Sequence, residues 1–231
     1  MTNKSLKDTE INGYFIYKHN DMVLANGDDG DLYTPGARVV RKFGEHWLAK
    51  AEGALQFGNN RLRDVWAGGA NTSLTYLFND KWNNRATMGY EFLSGDDPGT
   101  ATNEQFNPLW GRWPQFSELI AYLDATETRP GDTTNLHRLW WGWKADPTKK
   151  LKVEACYHLL FSDDNTFEKT RPAAFGSGSF RGQLVTLLAQ YKFNKFLSGH
   201  LLGEYFQPGH YYSDNRDDGA IFARAELVFA F

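Results

Sequence analysis

Charged side chains recur in this chain at two-residue spacing or its multiples: Lys50 and Glu52, Arg85 and Glu91, Arg138 and Lys144, Lys152 and Glu154, Arg224 and Glu226. A β-strand repeats every two residues, so each set stands on one face of its segment with apolar residues on the other. In the phase counted back from Phe231, the charged face carries Arg38, Lys50, Arg85, Arg138, Lys144, Lys152, Lys192 and Arg224. The acids on it are Glu52, Glu91, Glu154, Glu204 and Glu226. Bases therefore outnumber acids there, although the chain as a whole carries a net charge of −3. Such rows set a field: low-dielectric walls strengthen fixed charges, and a basic lining lowers the energy of an anion in a narrow passage. Arginine adds forked donors that fit carboxylates. Facing Arg and Glu on adjacent strands can equally pair and stiffen the wall, in which case the surplus decides selectivity. The compensating acids lie between the segments, at Asp28, Asp29, Asp31, Asp96, Asp97, Asp163, Asp164, Asp214, Asp217 and Asp218.

Other chemistries are poorly supplied. Ser198, His200 and His158 are the candidates for a nucleophile and base, but Ser198 and His200 stand on the charged face, away from any lipid substrate. No Gly-x-Ser-x-Gly elbow and no His-Glu-x-x-His occurs, so no enzyme activity is expected. The paired aspartates offer oxygen ligands to hard cations, yet none has EF-hand spacing, and a solvated acidic rim with no metal is expected. No cofactor is expected either. Cys156, the single cysteine, has no internal disulfide partner and reads as a small wall residue. Trp110, Arg112 and Trp113, with Phe116, either stack on sugars, fold inward as a constriction, or pack the loop on a rim.

The elements that position these residues are strands. In Ala220–Phe231, Ile221, Ala223, Ala225, Leu227, Phe229 and Phe231 fall on one side, with Arg224 and Glu226 on the other. Similar alternation runs through Glu10–Lys18, a strand ending at about Phe43, Trp47–Phe57, Trp66–Phe78, Trp82–Ser94, Asn135–Ala145, Leu151–Phe161, Leu184–Phe193 and Leu197–Tyr205. Short turns are predicted near Gly44, Asp80, Pro147 and Asn194. Long connections are predicted at Asn20–Asp31, Gly58–Asp64, Gly95–Thr134, Ser162–Ser179 and Gln207–Asp218. Regular alternation of long and short connections fits an up-and-down barrel of about ten strands with both termini at one end, and not a Greek-key sandwich. Trp47, Phe57, Phe78, Trp141, Trp143, Tyr205, Phe229 and Phe231 gather near strand ends on the apolar faces, as an aromatic girdle does. A lipocalin-type soluble barrel would have to crowd these bulky residues into one small interior.

Composition agrees: 16% aromatic residues and 22 glycines against 8 prolines suit a strand-rich chain. The acidic balance argues against nucleic-acid binding. No run reaches the roughly 18 apolar residues of a spanning helix, which leaves a barrel open. Met1–Asp8 has no apolar signal-peptide region, so in an exported protein a signal and an N-terminal portion would precede residue 1.

Gly89-Tyr90-Glu91-Phe92-Leu93-Ser94-Gly95-Asp96-Asp97-Pro98, followed by Phe106-Asn107-Pro108-Leu109-Trp110-Gly111-Arg112-Trp113-Pro114-Gln115, resembles the alginate-export family of bacterial outer-membrane barrels. Asn135-Leu136-His137-Arg138, Tyr157-His158-Leu159-Leu160-Phe161 and Glu204 to Tyr212 add to the resemblance, which is strongest from Met88 onward. It implies a monomeric barrel of roughly eighteen strands that passes an anionic polysaccharide through a pore lined by arginine and lysine. Residues 1–231 would then be one domain, the C-terminal part of that barrel. The reading is a bacterial outer-membrane channel for an anionic, alginate-like polysaccharide, in contact with outer-membrane lipid and with periplasmic secretion partners. The alternatives are a general or small-anion porin, then an adhesin or a lipid hydrolase.

Overall fold

A computed structural model describes residues 2–3, 5–21, 29–60, 63–111, 116–124, 127–128 and 131–231. The chain is all-β and antiparallel apart from short helical pieces, and every neighbour in the sheet is a neighbour in sequence. The strands are β1 (Thr2–Asn3), β2 (Thr9–Asn20), β3 (Gly30–Phe43), β4 (Trp47–Asn60), β5 (Arg63–Leu77), β6 (Arg85–Leu93), β7 (Leu136–Ala145), β8 (Leu151–Phe161), β9 (Phe180–Lys192), β10 (Leu197–Pro208) and β11 (Ala220–Phe229). Helix α1 (Glu118–Asp124) lies between β6 and β7, and a 3₁₀ turn (Asp214–Arg216) precedes β11. Ten long strands match the sequence reading, and the two-residue β1 is an addition. The hydrogen-bonded order starts at β1 and ends at β11, so the sheet is open.

Alternation decides which way each strand faces. On β4, Trp47, Leu55 and Phe57 are exposed on one face, while Gln56 on the other is fully buried. Trp47 and Phe57 are ten residues apart; at about 3.3 Å per residue and a tilt near 40° they bound a band about 25 Å tall, the height of a barrel's lipid-facing belt. Toward the short turns, Trp47, Tyr76 and Phe78 make edge contacts with ring centroids 4.9 and 5.0 Å apart. Toward the other end, Tyr17, Tyr33 and Phe57 stack at 5.3 and 5.5 Å. Between the two belts the face is aliphatic, as at Leu201, which is 64% exposed. Among the described residues no helix is long and apolar enough to cross a membrane.

The tightly packed core lies on the opposite face. Leu136, Leu160, Leu184 and Phe206 of the wall pack with Leu119 and Ile120 of α1 and with Phe175, Tyr211 and Tyr212 from the connections. A second cluster, Leu32, Val65 and Ala67, is covered by Phe106 and Leu109. The described parts of the connections that follow β6, β8 and β10 thus fold onto the inner face.

Two predicted boundaries change the connection pattern. Gly58–Asp64 is not a long loop: Gly58, Asn59 and Asn60 pair with Val65, Asp64 and Arg63, and only residues 61–62 separate β4 from β5. Its polar residues read as a loop, but their backbones continue the ladder above the apolar belt. The predicted strand start at Trp82 gives way to a turn, because Asp80 Oδ1 accepts the backbone N–H of Trp82 and Asn84 at 3.1 and 3.0 Å. β9 also begins earlier than Leu184. The register slips between Leu160 and Phe161 opposite Arg181 and Gly182, and Gly182 takes a φ of +141°. This bulge re-aims Arg181 away from its expected side.

Candidate functional site

The predicted charges fall into rows across the inner face. Arg38, Glu52, Asn71, Glu91 and Arg138 stand in register on five successive strands. Three rows nearer the short turns are Arg85, Lys144, Glu154, Leu188, Leu202 and Arg224. The next row is Lys152, Gln190, His200 and Glu226.

Most of these charges are paired. Arg138 Nε reaches Glu91 at 2.7 Å, Lys144 Nζ reaches Glu154 at 2.7 Å, Arg85 reaches Asp146 at 3.5 Å, and Arg38 lies 4.0 Å from Glu52. Arg224 pairs with Glu118 of α1 and also donates from Nε to His200 Nε2 at 3.1 Å. Among the described residues Lys50, Lys152, Lys192, Glu204 and Glu226 have no side-chain ion pair. Ser198 and His200 both lie on the inner face near the short turns, where they line a depression with Lys152 and Lys192.

The segment between β6 and β7 occupies the inner face at the long-connection end. Gln56 and Asn107 exchange two hydrogen bonds: Gln56 Nε2 donates to the carbonyl of Asn107 at 2.8 Å, and Asn107 N–H donates to Gln56 Oε1 at 2.7 Å. Lys18 donates to the carbonyl of Leu109 at 2.9 Å. Phe116 lies over the Arg138 guanidinium at 4.2 Å, which helps leave Arg138 only 7% exposed. Trp110 stays 65% exposed. Arg112 and Trp113 lie outside the described residues.

Helix α1 is fixed to the wall at its start. Ser117 accepts the N–H of Ile120 at 3.1 Å as an N-cap, and Glu204 of β10 accepts from Ser117 Oγ at 2.6 Å and from the N–H groups of Glu118 and Leu119 at 3.1 and 2.8 Å. Glu204 is therefore buried as an anchor. At the other end of α1, the re-aimed Arg181 pairs with Glu127 at 2.5 Å, both side chains almost fully buried, and Tyr211 donates to Glu127 at 3.1 Å. Asp124 accepts from Thr133 Oγ1 at 2.5 Å; burial pushes its carboxyl up to about 7, against the lowering effect of that bond and of Arg181. Burial likewise raises the Tyr211 and Tyr212 phenols.

The sequence profile of the alginate export family matches residues 1–224. The chain belongs to the alginate export family. This is a family of outer-membrane export channels and not of enzymes, in keeping with an all-β sheet whose one face is apolar between two aromatic belts. A comparison with curated proteins found no match.

Within this alginate export chain, several inner-face residues were not singled out from the sequence as site residues. Lys18 and Gln56 have the same phase as Lys50 and Glu52, a signal that was present but weak beside a polar loop. Arg181 was hidden by the bulge. Asp124 and Glu127 sit in a stretch without strand periodicity, and nothing local marks them as partners of β9.

Proposed function

We propose that the chain forms part of the wall of an outer-membrane channel through which an anionic, alginate-like polysaccharide is exported along the charged inner face. The observation that carries this reading is the surplus left after pairing. Lys50, Lys152 and Lys192 stand unpaired against two unpaired carboxylates, Glu204 and Glu226, so these rows keep one positive charge that their acids do not cancel. The paired residues Arg38, Glu52, Arg85, Glu91, Arg138, Lys144, Glu154 and Arg224 line the same face and stiffen it, while Glu204 holds α1 against it. The apolar face contacts outer-membrane lipid. A conduit needs a closed wall, because an open sheet edge in hydrocarbon leaves backbone groups unpaired. We assign the edge of β2 that the two-residue β1 leaves uncovered, and the outer edge of β11, to further strands of the same protein, in a monomeric barrel of roughly eighteen strands. Trp110 serves as a sugar contact, and periplasmic partners deliver the polymer at the short-turn end.

One observation favours a small-anion porin as the second reading: the described parts of the 94–135 segment lie against the inner wall and narrow the path. Planar-bilayer recordings of the whole protein separate the two. Anion selectivity that falls in a Lys50→Glu/Lys152→Glu double variant, with current block by alginate oligomers, supports the polysaccharide conduit. Anion selectivity without oligomer block supports the porin. Cation selectivity in the unmodified protein defeats both.

A further inference from the structure

The two ends of the wall carry opposite charge. Residues 41–46, 79–85, 146–150 and 192–195, at the short-turn end, hold eight Lys and Arg against three Asp and Glu. The connections 95–134, 162–179 and 209–219, at the other end, hold thirteen acids against five bases, so the excess of cations is local. Two of the three acids at the short-turn end are already engaged. Asp80 accepts the N–H groups of Trp82 and Asn84, and Asp146 pairs with Arg85. Among the described residues Arg41, Lys42, Lys81, Lys149, Lys192 and Lys195 are exposed and have no carboxylate partner.

Three of these cations lie over exposed aromatic rings. Arg41 is 4.9 Å from the centroid of Phe43, Lys81 is 5.3 Å from that of Trp82, and Lys195 is 4.6 Å from that of Phe196. All three belong to the edge of the apolar outer face. Arg41 shares the phase of Phe43, and the two pair across the ladder with Ala49 and Trp47. The turn that carries Lys81 is tied to that face by Trp143 Nε1, which donates to Asn84 Oδ1 at 3.1 Å. The turn that carries Lys195 follows Phe193, which meets Tyr191 of the same face edge-on at 4.9 Å. An aromatic belt sits at the level of lipid headgroups, so a cation held on its rings stands where phosphates lie. A partner that reaches these cations from the apolar side comes from the membrane, and the charge it must carry is negative. We infer that the short-turn rim is a binding surface for anionic glycerophospholipid of the leaflet it meets, with Arg41, Lys81 and Lys195 holding the headgroup phosphates. The inference rests on the apolar face meeting lipid and is independent of what the inner face conducts.

The test reconstitutes the whole protein in phosphatidylcholine vesicles at low salt. Spin-labelled phosphatidylglycerol and spin-labelled phosphatidylcholine are compared by the motionally restricted fraction of their EPR spectra. The expected result is association of phosphatidylglycerol at least about threefold stronger than that of phosphatidylcholine, a preference that disappears at about 1 M salt. It should fall to near parity in the triple variant Arg41→Gln/Lys81→Gln/Lys195→Gln. Lys50→Gln/Lys152→Gln/Lys169→Gln, which removes the same charge elsewhere, should keep it. Unchanged restriction of phosphatidylcholine shows that each variant is folded and inserted. Equal association of the two lipids with the unmodified protein leaves the rim to water or to an acidic protein, and the inference is wrong. A full preference in the first triple variant overturns it equally. Restriction of neither lipid defeats the lipid-facing reading of the apolar face and the inference with it.

Discussion

Glu204 on β10 accepts the backbone N–H of Leu119 at 2.8 Å, so a wall carboxylate supplies the acceptor that the start of α1 lacks within itself. With the bonds from Ser117 and Glu118, this one side chain fixes the start of α1 to the sheet. Glu204→Ala removes all three and leaves two N–H groups to find water. The expected cost is about 2–3 kcal/mol of the segment's stability, with larger and noisier single-channel currents as it loosens. Glu204→Gln, which keeps one acceptor oxygen, should fall between the two in bilayer recordings.

Pairing and surplus charge predict opposite phenotypes. Arg138→Ala strands Glu91 in a partly buried site, at a cost of about 3 kcal/mol in chemical unfolding. Lys152→Ala should change unfolding by less than about 0.5 kcal/mol while lowering anion selectivity. If Arg138→Ala proves as mild as Lys152→Ala in unfolding, the pair contributes little.

The Asp124 carboxyl gives the inserted segment a pH dependence whose sign is fixed. Its folded pKa is raised from 3.8 to about 7, so the folded state keeps a proton that the unfolded chain releases. The stabilisation is complete below about pH 4 and is lost as pH rises to about 7, beyond which the profile flattens. Asp124→Asn should remove this slope from unfolding midpoints measured between pH 4 and 8. An unchanged slope in the variant would assign the dependence to another group.

Two glycines should respond oppositely to alanine. At Gly182 the φ of +141° and a Cβ position 2.2 Å from the Gln207 carbonyl oxygen make Gly182→Ala destabilising by more than about 1 kcal/mol. At Gly13 a Cβ meets nothing within 4 Å, and Gly13→Ala should be neutral or slightly stabilising. Thermal unfolding of the two variants side by side is sufficient.

On the apolar face, Leu201 lies toward the middle of β10 and Ile221 lies at the start of β11, at the long-connection end. Leu201→Arg should cost ~2–4 kcal/mol and Ile221→Arg no more than ~1 kcal/mol when folding into bilayers is measured. Equal costs would mean that this face does not span hydrocarbon.

Alternation made the wall legible in the sequence. β8 runs from Leu151 to Phe161 as its pattern of Leu151, Val153, Ala155 and Tyr157 against Lys152 and Glu154 requires, and Arg38 and Glu52 fall opposite each other. The same rule fails where both faces are apolar: Leu160, Leu184 and Phe206 face inward because inserted connections cover them. It also fails at Arg181, because one extra residue reverses a two-residue phase. Helix α1 was unreadable for a different reason. Its acceptors and counter-charges are supplied by Glu204 and Arg224, which are distant in sequence and become neighbours only through the sheet.

That separation orders events in time. Each ladder joins consecutive strands, so the sheet can grow hairpin by hairpin with short loop closures. The residues that hold α1 arrive last: Ser117 waits 87 residues for Glu204, and Glu118 waits for Arg224 on the final strand. Until β10 and β11 are in place, the start of α1 has no fixed seat, although Asn107 and Leu109 are already held by Gln56 and Lys18, and its docking reports that the C-terminal edge of the wall has been laid down.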